Sequence, residues 1–274
     1  MKITFLGGGN MATALIGGML ERGFAVAGIQ VVELGEAARG ALAQRFGVRA
    51  VESFDDAALA CDVLVLAVKP QQMKAALAPI AGRLCGQLVI SIAAGLRLAD
   101  LGRWLGAPGA PHARLVRCMP NTPALIGAGV TGLYADPSVD AAGRETAGRI
   151  LGAVGSTVWA DDEAQMDAVT AISGSGPAYV FHFIEALESA GRSLGFDEAG
   201  ARRLAIDTVL GAARLAAGSE DAPAVLRQKV TSKGGTTEAA LASLAAAGWH
   251  DELVAAVQAA EARGRELGAE LGKD

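Results

Sequence analysis

A chain of 274 residues, 51% hydrophobic and 19% charged, can bury a substantial core, which argues against disorder and allows one large domain or two modest ones. A formal net charge of −5 and an aromatic content of 4% leave neither a basic stripe nor a stacking platform for nucleic acid, so a small-molecule substrate is expected. Cys61, Cys85, Cys118 and the histidines lie too far apart for a zinc site or a disulfide framework, which fits a reducing, cytoplasmic setting with no metal.

Lys2 leads into an apolar, glycine-rich run ending near Leu20 that superficially imitates a secretory signal. Asn10 interrupts it, however, and Glu21 and Arg22 follow without a small-residue cleavage pattern. No other apolar run is long enough to span a bilayer, so no membrane partner is expected.

The first half alternates short β-branched runs with amphipathic stretches. This predicts an α/β fold, a Rossmann-type doubly wound parallel sheet with helices on both faces. The runs at 3–6, 29–32, 63–68, 88–92 and 115–118 read as strands, and 11–22, 36–46 and 70–84 as helices. A further strand pair is expected at 130–134 and 157–160, with a helix at 141–151 between them. From Asp161 onward the texture is helical, so the dinucleotide-binding domain is drawn as residues 1–162 and an all-α substrate and dimerisation domain as 163–274. The helix at 178–194 is apolar nearly all round, apart from His182, Glu185, Glu188 and Arg192. It should be buried on most sides, which in so small a domain suggests a partner subunit. The last helix carries Leu253, Val257, Ala260, Gly264, Leu267 and Leu271 on one face, fit to cap its own domain or to pack across a dimer.

Gly7, Gly9 and Ala12 form G-x-G-x-x-A directly after the first strand and at the mouth of a helix. That is the context a dinucleotide pyrophosphate requires: a tight turn, close backbone approach and a helix N-terminus. Glu33 closes the second strand 21 positions beyond Ala12, where a carboxylate can accept the adenine ribose hydroxyls and would repel a 2′-phosphate. The cofactor is therefore NADPH or NADH, with a lean to NADH that Arg39 on the next helix could offset. Three further loops follow strands: Ala67, Val68, Lys69 and Pro70; Ala93, Ala94 and Gly95; and the segment with Asn121. Together they describe a crevice at the strand ends.

In the second domain the run 173–177 (SGSGP), with Ser175, and the run 230–237 (VTSKGGTT) each place hydroxyls and free amides at a helix start, a ready carboxylate site or else a plain cap. His112 and His250 read as surface loop residues and His182 as part of a polar stripe, so no catalytic histidine is expected.

FLGGGNM at 5–11, AVKPQ at 67–71, RCMPNTP at 117–123, SGSGPAY at 173–179 and VTSKGGTT at 230–237 closely resemble, in order, the blocks of the pyrroline-5-carboxylate reductase family. The resemblance implies reduction of 1-pyrroline-5-carboxylate to L-proline by NAD(P)H. The cofactor would lie over Leu6, Gly7, Gly8, Gly9, Asn10 and Met11, with Ala67–Pro70 and Ala93–Gly95 near the nicotinamide. It further implies a helical homodimer, often built into a decamer. The substrate carboxylate would meet Lys233, Gly234, Gly235 and Thr236, with Thr237 near the imine nitrogen as the catalytic residue and Glu163, Val230 and Thr231 nearby. Cys118 replaces the family's usual aliphatic residue, and Glu33-Leu34 stands where relatives that favour NADP carry Asn-Arg or Ser-rich segments. The rival readings are a β-hydroxyacid dehydrogenase-like enzyme, which would offer a helical lysine in its second domain, and a dinucleotide sensor without turnover. The two hydroxyl-rich helix starts disfavour the sensor.

Overall fold

A computed structural model describes residues 1–273 and divides them into two compact units, Met1–Ser175 together with the chain from Ala260 onward, and Gly176–Ala259. The segment 163–175 and the end of the last helix therefore go with the first unit, whereas the sequence division falls at 162/163.

The first unit holds a single eight-stranded sheet. Its strands are β1 (Ile3–Leu6), β2 (Ile29–Val32), β3 (Arg49–Val51), β4 (Val63–Leu66), β5 (Leu88–Ser91), β6 (Leu115–Met119), β7 (Gly129–Ala135) and β8 (Gly155–Trp159). The spatial order is β3-β2-β1-β4-β5-β6-β7-β8. Strands β1 to β6 pair in parallel, as the run pattern predicts. Two corrections apply: β3 is missing from the sequence reading, and β7 returns antiparallel to β6 before pairing in parallel with β8. Along β4, Val63 and Val65 enter one apolar core and Leu64 and Leu66 the other, because successive side chains alternate across the sheet. Helices α1 (Asn10–Glu21), α2 (Glu36–Phe46) and α6 (Ala141–Leu151) cover the first core; α4 (Pro70–Leu77) and α5 (Leu98–Leu105) cover the second. The one-turn helix α3 (Asp56–Leu59) leads into β4. The apolar run after Lys2 is thus β1 and α1, a buried strand and helix. Helix α4 ends at Leu77 rather than at 84 and gives way to a 3-10 turn over Ala78–Ile80, since Pro79 brings no amide to an α-helical ladder.

After β8, α7 (Gln165–Val169) runs into a π-helical turn, Thr170–Gly174. The second unit contains α8 (Gly176–Ser193), α9 (Glu198–Ala217), α10 (Pro223–Lys229), α11 (Thr236–Ala246) and the beginning of α12 (Trp249–Leu271), with no strand among its described residues. Gly191 lets α8 and α9 approach closely: a Cβ there would stand 3.0 Å from that of Ala201. The expected burial of α8 is not met within the chain. It has no buried residue, and Val180, Phe181 and Phe183 are exposed.

Candidate active site

The parallel register sets Leu6, Val32, Leu66, Ser91 and Arg117 in line across the sheet. The turns that follow these strands therefore open along one edge, the ligand-binding edge of such sheets.

Between β1 and α1, Gly7 has φ +100°, and a Cβ there would lie 2.8 Å from the Ala67 oxygen, so only glycine fits. Nothing stands within 4 Å of the corresponding position at Gly9, which leaves an open cradle over the helix start. Helix α1 has no side-chain cap and no acidic residue in its first turn. Its first amides, at Asn10, Met11 and Ala12, have no intrahelical partner and carry the positive end of the helix dipole, a fit for pyrophosphate.

Glu33 closes this cradle from β2. Its Oε2 accepts the Gly8 amide at 2.7 Å and its Oε1 the Gly35 amide at 2.8 Å. Arg39 Nη1 donates to the carbonyls of Glu33 (2.8 Å) and Leu34 (2.6 Å), and its Nη2 lies 3.6 Å from Glu52.

On the neighbouring turns the Ala67 amide donates to Leu6 (2.8 Å), and Pro70 opens α4 directly after an exposed Lys69. Ala93 is buried and Gly95 has φ +79°. Asn121, read from the sequence as a cofactor residue, is buried: Nδ2 donates to the Ser173 oxygen (3.1 Å) and Oδ1 accepts the Val130 amide (3.0 Å). The second Nδ2 hydrogen has no partner among the described residues.

Sequence reasoning assigns Arg117 no role. It is 4% exposed, and its Nη2 donates to Asp167 Oδ1 at 2.8 Å. Its Nη1 lies 3.4 Å from Glu163 Oε1, an oxygen that also accepts the Leu98 amide at 2.8 Å. Glu163, read from the sequence as a substrate residue, is thus held against β6 and the start of α5. The signal available was a charge inside an apolar strand run.

In the second unit, Gly234 takes φ +73° and donates its amide to Glu238 (2.6 Å), while Gly235 donates to the Ser232 oxygen (3.0 Å). Thr231 Oγ1 donates to the Arg227 oxygen (2.6 Å), and Val230 is exposed. Helix α11 then begins at Thr236 with no side-chain cap. Thr237 is a half-buried residue, and its hydroxyl finds no partner among the described residues. His112 is half-buried rather than on the surface: its Nε2 meets the Gln87 oxygen at 2.9 Å, and burial holds its basicity below the usual histidine value. No cluster of metal-ligating residues occurs among the described residues, and none of their helices is long and apolar enough to cross a membrane.

The family model for pyrroline-5-carboxylate reductase dimerisation matches residues 163–267, and that for NADP oxidoreductase, coenzyme F420-dependent, matches 2–95. The pyrroline-5-carboxylate reductase of Pseudomonas aeruginosa is 48% identical over 273 residues, 99% of this chain and 98% of that one. This chain belongs to the pyrroline-5-carboxylate reductase family. The pyrroline-5-carboxylate reductase of Haemophilus influenzae is 41% identical over 97% of each chain. A pyrroline-5-carboxylate reductase structure from Coxiella burnetii superimposes with a TM-score of 0.92 at 40% identity, covering 97% of this chain and 98% of that one. The Plasmodium falciparum pyrroline carboxylate reductase, solved with NADP bound, gives 0.84 at 29% identity over 98% of each chain. The resemblance drawn from the five sequence blocks is borne out, and with it a nicotinamide-dependent oxidoreductase fold of Rossmann and helical parts.

Proposed function

We propose that this chain reduces the C=N bond of 1-pyrroline-5-carboxylate to give L-proline. The observation that carries the proposal is the open cradle at Gly9 before an uncapped α1, in a chain that matches pyrroline-5-carboxylate reductases end to end. A nicotinamide cofactor held there supplies the hydride, two electrons to the imine carbon, and the nitrogen takes a proton.

Leu6–Met11, Ala67–Pro70 and Ala93–Gly95 hold that cofactor, with Asn121 bracing the edge. The free amides at the start of α11 and the Lys233 ammonium receive the substrate carboxylate within the Val230–Thr237 loop, and Ser175 adds a hydroxyl contact. Thr237 holds the imine nitrogen. A protonated imine is already electrophilic, so orientation is the larger part of the task.

The preferred cofactor is NADH. One carboxylate oxygen of Glu33 accepts the Gly8 amide of the glycine turn and the other the Gly35 amide, and Arg39 is engaged by two carbonyls and Glu52, which leaves a 2′-phosphate facing a negative charge. The exposed apolar residues of α8 and α9, among them Phe181, Phe183, Leu204 and Leu210, supply the surface for a homodimer that can assemble further. The free thiols fit a reducing cytoplasm.

Absorbance loss of NADH and NADPH with purified protein and pyrroline-5-carboxylate tests the reading. Rapid turnover supports it; cofactor binding without turnover of this imine or its six-membered homologue refutes it.

A further inference from the structure

Strand β6 carries a full charge where a sheet interior is ordinarily apolar. Arg117, paired in register with Ser91 and Tyr134, meets two carboxylates, Asp167 and Glu163. Four residues later Asn121 donates to the Ser173 oxygen at 3.1 Å. Between them the Met119 Cε lies 2.6 Å from where a Cβ on Gly174 would sit. The end of β6 and the turn after it therefore grip the segment 163–174 at three successive points.

What they grip is not ordinary helix. Thr170–Gly174 is π-helical, and the Ser175 amide closes the turn on the Thr170 oxygen at 2.8 Å. Such turns are rare, are held by their surroundings, and concentrate at functional sites. Ser175 leaves this turn with its Oγ unbonded among the described residues. An apolar core would pack the same space without the cost of desolvating three charges, so stability alone is a poor reason for the cluster. A planar guanidinium, by contrast, fixes two carboxylates in a set geometry.

We infer that Arg117 is a positioning residue for imine reduction: by fixing Asp167 and Glu163 it imposes the π turn and thereby sets the place of the Ser175 hydroxyl. The inference rests on the reading of Ser175 as a substrate contact.

The test uses the full chain with Asp167→Asn, Arg117→Lys, Ser175→Ala and the Asp167→Asn/Ser175→Ala pair. Melting temperature, NADH dissociation constant, imine KM and kcat are measured for each. Asp167→Asn should raise the imine KM by about tenfold, the equivalent of one charge-assisted hydrogen bond, with NADH affinity changed by less than about twofold. Arg117→Lys should fall between it and wild type. Ser175→Ala should raise KM in the wild-type background and add little to Asp167→Asn, because the hydroxyl is already misplaced there. Variants that lower the melting temperature but leave imine KM and kcat unchanged would overturn the inference, as would fully additive effects or equal losses of NADH and imine affinity. Failure of the wild-type protein to reduce any cyclic imine would sink the proposed reaction itself, and this inference with it.

Discussion

Glu33 Oε2 accepts the Gly8 amide at 2.7 Å, so the residue proposed to meet the adenosine ribose also braces the glycine turn proposed to meet the pyrophosphate. Glu33→Ser removes the charge facing a 2′-phosphate, and the ratio of kcat/KM for NADH over NADPH should fall by about tenfold or more, one charge contact's worth. An unchanged ratio would remove Glu33 from cofactor selection. Some affinity for both cofactors should also be lost, because the Gly8 amide loses its partner.

Thr237→Ala deletes a hydroxyl that has no partner among the described residues, so stability should change by less than about 0.5 kcal/mol. Imine kcat/KM should nevertheless fall by about ten- to a hundredfold, the range of a hydrogen bond to a charged group. Equal rates for variant and wild type would transfer the role to another donor.

The three thiols should react in two classes. Cys85 is exposed, whereas Cys61 and Cys118 are buried and burial pushes both thiols up, so little thiolate is present on either. A disulfide reagent at neutral pH should titrate Cys85 quickly and the other two only in denaturant. Fast labelling of all three in native protein would contradict the packing around β4 and β6.

Burial depresses the folded-state basicity of His112 below the unfolded value of about 6.5. Its contribution to stability is therefore complete above the unfolded value and is lost as pH falls through the folded one, because the unfolded chain takes up the proton first. The melting temperature of wild type should drop more on acidification below about pH 6.5 than that of His112→Gln, whose amide can still donate to the Gln87 oxygen. Parallel curves would show that the ring stays solvated.

Phe181, 60% exposed on α8, is a direct probe of self-association. Phe181→Glu should shift the protein to smaller species in sedimentation velocity and lower a concentration-dependent melting temperature. No change in mass would place the subunit interface elsewhere.

Strands β1, β2, β4 and β5 are legible in the sequence because they are nearly continuous apolar runs, buried on both faces of a covered parallel sheet. Strand β3 is not, since three residues opening on the exposed Arg49 carry no periodicity. The antiparallel entry of β7 is equally hidden: a strand's apolar pattern does not record its direction. The spacing of Glu33 from the glycines is legible, but its bonds to Gly8 and Gly35 depend on the packed turn. Arg117 finds its carboxylates 46 and 50 residues away, beyond any local motif. The unburied α8 shows the opposite limit, since an apolar helix does not say which chain covers it.

The far end of α12 sets a condition on the length of the chain. Gly264, Gly268 and Gly272 come at steps of four. A Cβ on Gly264 would lie 3.9 Å from that of Asp167, and one on Gly268 would lie 2.9 Å from the Gly95 oxygen. Gly268 thus keys this edge of the helix to the Gly95 turn, while Gly264 makes ordinary contact and Gly272 lies just past the helix end. One inserted residue before Gly264 would rotate that edge by about 100° and advance it by about 1.5 Å, driving larger side chains against the Ala93–Gly95 turn. Surface loops of this protein can drift in length, but its last helix must keep count.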